Sequence, residues 1–262
     1  MLFDTHAHYW DDRFISEEGN CDALLEDVLG NGVCGIVNVG TDLDTSRRAL
    51  EQSCRHQGMF TAAGIHPSDC PRYAADPAAA IASLERLIVE NRKNIVALGE
   101  CGLDYYWPGF DKEMQKQFFS LQLELGAKLD IPVIVHDRDA HGDTLAAILA
   151  HPQTRGVLHS YSGSTEMAME LIAHGWYISF SGSVTFKNAA RLATVPIYLP
   201  QDKVMIETDA PYLTPHPFRG KRNDSSYLRY TADKIAELWG VSYDEVCAIT
   251  TANAQRFFGL MS

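Results

Sequence analysis

Short apolar segments that end in a histidine or a carboxylate recur along this chain of 262 residues. The segments are rich in residues that favour extended strands, and amphipathic helical patterns lie between them. In a parallel barrel of alternating strands and helices, the carboxyl ends of all strands share one face, where active sites are built. The pattern therefore predicts that several side chains, distant in sequence, meet at that face. They are His6, His8, Glu100, His136, His159 and Asp209.

Eight segments are predicted to be strands, the number that a (β/α)8 TIM barrel requires. They cover residues 2–8, 33–39, 60–65, 95–99, 132–135, 156–159, 176–181 and 204–207. The predicted helical segments cover residues 22–31, 43–56, 77–91, 111–129, 145–149, 166–174, 189–193, 226–239 and 243–258. Several strands are apolar throughout, as in a parallel sheet buried on both faces. An open doubly wound sheet is the alternative, but it favours a glycine-rich phosphate loop after the first strand, where this chain has histidines.

The chain has 262 residues, of which 46% are hydrophobic, so it can bury a large core. We therefore expect one domain over residues 1–262. We expect neither a membrane span, which takes about 20 apolar residues, nor a secretory leader. The six cysteines form no Cys-x-x-Cys pair, which favours free thiols in a reducing, cytoplasmic compartment. The net charge of −12 argues against a broad duplex-binding surface, although bound divalent ions would add positive charge in a cleft.

His6 and His8 stand two residues apart, so an extended strand directs both imidazoles to the same side. Neutral imidazole is a good ligand for divalent transition metals. Asp4 is in phase with both histidines and is a candidate either to bind the second nitrogen of one ring or to hold a further ion. A His-x-His pair alone is weak support, because chance histidines also occur at exposed strand ends.

Glu100 follows an apolar strand and precedes further apolar residues, where an unpartnered charge would be costly. A carboxylate has two oxygens, so the side chain of Glu100 is a candidate to bridge two cations. His136 and His159 each end an apolar strand, and either one alone would be interpreted as a core histidine. The joint occurrence of such residues at the ends of strands one, four, five, six and eight favours a metal site.

Asp209 is the candidate general base, because a carboxylate beside an activated water can orient it and accept its proton. Glu207 is in phase with Asp209 and is a candidate to support it or to hold a further ion, with a structural role as the alternative. His66, in the segment Gly64-Ile65-His66-Pro67, is a candidate ligand or phosphate contact, and a packed histidine is the alternative.

Basic and aromatic residues also fall near the expected barrel mouth. The polar candidates for phosphate binding are Arg138, Lys187, Asn188, Arg219, Lys221 and Arg222. The candidates for stacking on bases are Tyr105, Tyr106, Trp107 and Tyr161. Solvated loops and packing at the rim are the alternatives. Cys101 has no basic neighbour in sequence, so we expect a packed thiol rather than a nucleophile.

Seven motifs, in this order, resemble the TatD family of metal-dependent deoxyribonucleases within the amidohydrolase superfamily, over essentially the whole chain. They occupy residues 3–8, 64–67, 97–105, 132–140, 157–163, 177–182 and 206–213. The resemblance implies a TIM barrel that holds two divalent ions (Mg²⁺, Mn²⁺ or Zn²⁺). It places one ion on His6, His8 and Asp209 and the other on His136 and His159, with Glu100 as the bridge.

The resemblance further implies hydrolysis of DNA phosphodiesters, commonly by a 3′→5′ exonuclease acting on single strands or 3′ ends, with a role in DNA repair. We expect in-line attack on phosphorus by a hydroxide that bridges the two ions, with Asp209 and Glu100 as the catalytic residues. Asp209 deprotonates the attacking water in this scheme. The expected phosphate contacts are His66, Arg138, Arg219 and Arg222.

Two segments depart from the family pattern. The usual Arg-Asn-Glu-Pro after strand eight reads Arg222-Asn223-Asp224-Ser225, and the usual Cys-Phe after the sixth-strand histidine reads Ser160-Tyr161. All of the implied metal ligands are retained, so we expect activity to persist. We expect the altered loop to affect substrate preference, since a substrate tail could lie there.

Two alternative functions remain open. The same dinuclear site could hydrolyse an ester or an amide, as in a D-aminoacyl-tRNA deacylase or another amidohydrolase. The barrel could instead be a non-catalytic binding scaffold, which the loss of a metal ligand would favour. The sequence does not fix the native metal, the choice among DNA, RNA and aminoacyl ester, or the choice between exonuclease and endonuclease. It also leaves the oligomeric state open and is compatible with a monomer.

Overall fold

Eight parallel strands form one sheet in a computed structural model that describes residues 1–14 and 21–260. Their order in the sheet is their order in the chain. Their bounds are Leu2–Ala7 (β1), Val33–Val39 (β2), Met59–Ala63 (β3), Ile95–Asp104 (β4), Val133–Arg138 (β5), Gly156–Leu158 (β6), Tyr177–Phe180 (β7) and Val204–Ile206 (β8). A parallel bridge between Ala7 and Ala210 joins the first strand to the segment after the last. The predicted (β/α)8 barrel is therefore confirmed.

Helices follow the strands on the outside of the barrel. Their bounds are Asp22–Gly30 (α1), Leu43–Ser53 (α2), Pro77–Glu90 (α3), Lys112–Lys128 (α4), His141–Ala150 (α5), Thr165–Ala173 (α6), Val195–Tyr198 (α7), Leu228–Trp239 (α8) and Tyr243–Phe257 (α9). Side-chain caps begin several of them, such as Asp42 on α2 and Asp111 on α4, because they accept hydrogen bonds from otherwise free N–H groups. None of the helices within residues 1–14 and 21–260 has the length and apolar character to cross a membrane.

The predicted helix over residues 189–193 is wrong. Turns and a single 3₁₀ turn, Leu192–Thr194, occupy this part of the chain, and the one-turn helix α7 begins only at Val195. Pro196 lies in the first turn of α7. Proline has a fixed φ and no N–H, so it fits the start of a helix better than its interior, which moves the helix later in the chain.

The strands β4 and β5 are longer than predicted, and this places two candidate residues inside strands rather than after them. Pairing between the two strands continues as far as Asp104 and Arg138, after a register shift between Leu98 and Cys101. At Gly102, which has φ of +142°, a Cβ atom would lie 2.0 Å from the carbonyl oxygen of His136. Glycine at this position therefore allows the close approach of β5 that brings His136 beside Glu100.

The inner layer of the barrel is closed by α9. One hydrophobic cluster contains residues from all eight strands together with Ala254, Phe257 and Phe258. The ring of Phe258 lies 6.1 Å from that of Phe3, and Thr251 donates a hydrogen bond to the carbonyl of Met1. Because Met1 and Phe3 are at the start of β1, α9 covers the amino ends of the strands and leaves the carboxyl ends open.

Candidate metal centre

Six predicted side chains converge at the carboxyl ends of the strands, around a central carboxylate. Glu100 in β4 is only 3% exposed. Two of its neighbours belong to β1 or directly follow it, one lies in β5, one directly follows β6, and one lies in the segment after β8. These side chains are His6, His8, His136 and His159, which face Glu100, and Asp209, which lies beside His8. The strand order thus brings together residues as far apart in the chain as His6 and Asp209, as the sequence predicts.

One oxygen of Glu100 faces the histidines of the first strand. Oε2 lies 3.3 Å from Nε2 of His6 and 3.7 Å from Nε2 of His8. These two nitrogens are 3.1 Å apart, which confirms that both rings point to the same side. Oδ1 of Asp209 lies 3.3 Å from Nε2 of His8. Two imidazoles and two carboxylates therefore surround this half of the site.

The other oxygen of Glu100 faces the histidines of the fifth and sixth strands. Oε1 lies 2.8 Å from Nδ1 of His136 and 2.9 Å from Nε2 of His159. These two nitrogens are 3.2 Å apart. The carboxylate of Glu100 is thus placed between two histidine pairs, with one oxygen directed at each pair.

The spacing and chemistry of these donors fit divalent metal ions. Two nitrogens at about 2.0–2.1 Å from a tetrahedral ion are about 3.3 Å from each other, close to the separations within both histidine pairs. His6, His8 and Glu100 form one group of three clustered donor atoms, and Glu100, His136 and His159 form another. Imidazole and carboxylate together suit Zn²⁺ and Mn²⁺, whereas Mg²⁺ prefers oxygen ligands.

Electrostatics keeps the carboxylates of the centre ionised. Burial alone would raise the pKa of Glu100, but His159 and other nearby histidines hold that pKa well below its ordinary value. Burial would likewise raise the pKa of Asp209, yet His8 and its neighbours lower it. The pKa of His159 moves the other way, since Glu100 and Glu207 outweigh its burial and raise that pKa well above the usual value. Anionic carboxylates are the form that binds cations.

Asp104 was not among the predicted site residues, yet it contacts one of them directly. Its Oδ2 lies 3.2 Å from Nε2 of His136, and its Oδ1 accepts a hydrogen bond from the backbone N–H of Tyr106 at 3.0 Å. Together with His66 and His136 it forms a further group of clustered donor atoms. Asp104 stands four residues after Glu100 in β4, and this alternation is the sequence signal that could have identified it.

His66 and Glu207 lie next to the central residues. Nε2 of His66 is 3.7 Å from Oε1 of Glu100, and burial together with His136 lowers the pKa of His66 to about 3. Glu207 Oε1 accepts a hydrogen bond from the backbone N–H of Ser160 at 2.7 Å and lies 3.2 Å from Nδ1 of His159. His66 is therefore neutral, and Glu207 supports a histidine of the centre.

The predicted contact between Asp4 and a histidine ring is wrong. The Asp4 carboxylate accepts hydrogen bonds from the backbone N–H and the hydroxyl of Thr208, at 2.9 and 2.6 Å, and from Ser225 Oγ at 2.6 Å. The ring atom Nδ1 of His6 is buried without a hydrogen-bond partner among the described residues. Asp4 instead fixes the segment after β8 that carries Asp209.

A cleft of about 620 Å³ opens over the centre. Its lining includes His66, Trp107, Arg138 and Tyr212 beside the central residues, so the structure brings the predicted phosphate contacts His66 and Arg138 to the site. Three aromatic side chains are also part of its lining, those of Trp10, Trp107 and Tyr212.

Arg219 and Arg222 do not line this cleft, contrary to the prediction. The guanidinium of Arg219 lies 3.7 Å from the centroid of the Phe186 ring. Arg222 donates a hydrogen bond to the carbonyl of Arg13 at 3.1 Å and lies over Phe14. Stacking on aromatic rings is a common use of arginine, and both guanidinium groups have such a ring contact here.

Two residues of the segment that departs from the family pattern, Asn223 and Ser225, are buried in the interior. Asn223 is fully buried and its amide donates hydrogen bonds to the carbonyls of Thr208 and Tyr212, at 2.9 and 2.6 Å. Ser225 bonds both Asp4 and the hydroxyl of Tyr9. These residues are absent from the cleft lining, and their hydrogen bonds instead hold the segment after β8 that carries Asp209.

A (β/α)8 barrel with histidines and carboxylates gathered at the carboxyl ends of its strands is the arrangement that a metal-dependent hydrolase requires. Comparison with known proteins agrees with this class. The model of the family described as TatD related DNase matches residues 3–259. The chain belongs to this family, which confirms the resemblance seen in its motifs.

Relatives match the chain over nearly its full length. The metal-dependent hydrolase YabD of Bacillus subtilis is 39% identical over 260 residues, covering 98% of this chain and 99% of the relative. A relative from Citrobacter rodentium, named 3′-5′ ssDNA/RNA exonuclease TatD, is 32% identical, covering 99% of this chain and 98% of the relative. The crystal structure of the TatD homologue YJJV of Escherichia coli K12 superposes with a TM-score of 0.90 at 26% identity, covering 98% of each chain.

Proposed function

We propose that the protein hydrolyses phosphodiester bonds in single-stranded DNA, removing nucleotides from the 3′ end. The observation that carries this proposal is the position of Glu100 between two histidine pairs, with one carboxylate oxygen 3.3 Å from His6 and the other 2.8 Å from His136. Two-ion sites of this type are suited to in-line displacement at phosphorus. The exonuclease name of the Citrobacter relative supports nucleic acid as the substrate.

The metal ligands follow from the two halves of the site. We assign one ion to His6, His8 and Asp209 and the other to His136 and His159, with Glu100 shared between them. When bound, two divalent ions supply positive charge for the phosphate and the leaving oxygen and make water more acidic. Glu207 holds His159 in place through the 3.2 Å contact, as carboxylates commonly do for ligating histidines.

The remaining chemistry is assigned to side chains that line the cleft. The carboxylate of Asp209 accepts a proton from the attacking water as the water oxygen bonds to phosphorus. The bond between phosphorus and the 3′-oxygen breaks, and that oxygen takes a proton from solvent. Arg138 and neutral His66 lie in the cleft lining, where they bind the non-bridging phosphate oxygens.

Asp209→Asn tests the general-base assignment. Because an amide cannot accept the proton, we expect kcat on a labelled single-stranded oligonucleotide to fall by about 10²- to 10⁴-fold. The carbonyl oxygen of asparagine can still serve as a metal ligand, so the metal content should stay close to that of the wild type. Turnover is measured with Mg²⁺, Mn²⁺ and Zn²⁺ in turn, and the metal content by emission spectrometry. The control is Asp202→Asn, an exposed aspartate outside the cleft. A wild-type rate in Asp209→Asn would contradict the assignment.

A parallel assay separates the proposed nuclease from the ester and amide alternative. The wild-type enzyme is given a single-stranded oligonucleotide and a D-aminoacyl-tRNA ester with the same three metals. Faster hydrolysis of the ester with every metal would replace the nuclease proposal. Absence of bound metal in protein purified without chelator, together with no turnover of either substrate, would favour a binding scaffold.

A further inference from the structure

Two large aromatic side chains are exposed at the edge of the metal cleft. Tyr106 and Trp107 have 51% and 52% of their surface exposed, and their ring centroids are 4.9 Å apart at an angle of 89°. Both belong to the loop between β4 and α4, and Trp107 lines the cleft that also contains Glu100. Adjacent exposed rings of this size often mark a binding surface.

The guanidinium of Arg138 completes this surface. Its Cζ lies 3.8 Å from the centroid of the Tyr106 ring and 5.6 Å from that of Trp107. Arg138 is the last residue of β5 and is exposed. It forms no ion pair within the part of the chain that the structure describes. Its positive charge is therefore available to a ligand beside the rings.

The other two aromatic residues predicted to stack on bases have different surroundings. The hydroxyl of Tyr105 donates a hydrogen bond to Asp143 at 2.7 Å, and Nζ of Lys112 lies 4.0 Å from the centroid of its ring. Tyr161 is only 2% exposed, and its hydroxyl bonds the carbonyl of Ser164. Of the four predicted residues, Tyr106 and Trp107 thus have the most accessible rings.

Backbone hydrogen bonds connect the loop that carries these rings to residues beside the metal centre. The backbone N–H of Tyr106 donates to Oδ1 of Asp104, whose Oδ2 lies 3.2 Å from His136. The backbone N–H of Tyr105 donates to the carbonyl of Arg138 at 2.9 Å. The loop is therefore anchored to β5 on one side and to Asp104, the carboxylate beside His136, on the other.

We propose that Tyr106, Trp107 and Arg138 form a stacking platform for a base of single-stranded nucleic acid next to the cleaved bond, an inference that rests on the proposed function. Every base has a flat π face, so stacking gives affinity with little sequence preference, and arginine adds a cation–π contribution. With a net charge of −12, this protein is poorly suited to hold a strand by long-range attraction to phosphates. Stacking supplies affinity that does not depend on the net charge.

Binding of two single strands by the full-length, metal-loaded enzyme tests the stacking platform. One strand carries about eight adenines, the other has the same backbone without bases, and both have phosphorothioate linkages that slow cleavage. Affinities are measured by fluorescence anisotropy. The variants are Trp107→Leu, which keeps an apolar side chain without a π face, and Trp107→Phe, which restores a π face. Tyr198→Ala, at an aromatic residue that is 64% exposed outside the cleft, is the control.

The platform predicts a specific pattern of affinities. Trp107→Leu should raise the Kd for the adenine strand about 5- to 100-fold, the effect of losing one stacked base, and leave the Kd for the strand without bases unchanged. Trp107→Phe should recover most of the affinity, and Tyr198→Ala should match the wild type. Equal losses for both strands in Trp107→Leu, no loss for either, or no binding of the adenine strand by the wild type would overturn the platform.

Turnover of an ordinary phosphodiester strand separates this inference from the proposed function. Base-dependent binding through Trp107 without hydrolysis by any metal-loaded form would support the platform and contradict the nuclease. Hydrolysis of the strand with the same KM in the wild type and Trp107→Leu would support the nuclease and contradict the platform.

Discussion

At the scale of single residues, the contact between Asp104 and His136 shows how a carboxylate outside the metal centre can control it. A ligating histidine commonly has its second nitrogen held by a carboxylate, which fixes the orientation of the ring. Nε2 of His136 lies 3.2 Å from Asp104, while Nδ1 faces Glu100 at 2.8 Å. We therefore regard Asp104 as a positioning residue for His136.

Asp104→Ala should weaken metal binding about 10- to 100-fold, because the His136 ring loses its second partner. The Kd for Zn²⁺ is measured by competition with a chromophoric chelator, and kcat at saturating metal should recover to near the wild-type value. Asp202→Ala, at an exposed position, is the control for charge. An unchanged Kd for Zn²⁺ in Asp104→Ala would show that the carboxylate does not position the ring.

The sequence predicts the central residues better than the peripheral ones, for a physical reason. Strand direction alone determines which end of a strand faces the mouth, so the positions of His6 and His159 follow from the pattern of apolar segments. The positions of Arg219 and Arg222 depend on long, flexible side chains, and the rings of Phe186 and Phe14 that they contact come from distant segments. Such packing has no local signal in sequence.

At the scale of elements, the extent of β4 explains why the sequence predicts Glu100 as a site residue but does not predict Asp104. The apolar run ends near Gly99, so sequence alone ends the strand there, whereas pairing with β5 continues it to Asp104. The extended strand carries Glu100 and Asp104 toward the same site. Strand length is decided by a neighbouring strand more than by local composition, which is why Asp104 was not predicted.

The closing helix α9 offers a test of how local caps stabilise the barrel. Ser242 and Glu245 form a capping box at its start, in which the hydroxyl of Ser242 accepts a hydrogen bond from the N–H of Glu245. Ser242→Ala should lower the free energy of unfolding by about 1 kcal/mol, as measured by urea denaturation. Ser83→Ala, inside α3, should have little effect because alanine favours helix interiors. Equal stabilities for the two variants would contradict a capping role for Ser242.

At the scale of the whole molecule, metal binding and folding should be linked, since the histidine pairs meet only in the folded barrel. Protein stripped with a chelator should gain thermal stability when Zn²⁺ or Mn²⁺ is added, by about 2.7 kcal/mol at one hundred times the Kd. His136→Ala removes a ligand of one ion and should lose much of this gain. Differential scanning calorimetry gives the measurement.

His174→Ala, at an exposed histidine on the surface, serves as the matched control for this experiment and should respond to metal as the wild type does. A gain in His136→Ala equal to that of the wild type would show that stabilisation arises from ions bound elsewhere on the protein.

The closure of the amino ends of the strands by α9 bears on how such a barrel can diverge. Phe258 and its neighbours fill one end of the inner layer, while the groups assigned to chemistry occupy the other end. Exchanges in the loop that carries Tyr106 and Trp107 therefore leave the packing at the closed end untouched. The protein can therefore acquire new substrate preferences at the carboxyl ends of its strands, while the packing at the amino ends maintains its resistance to unfolding.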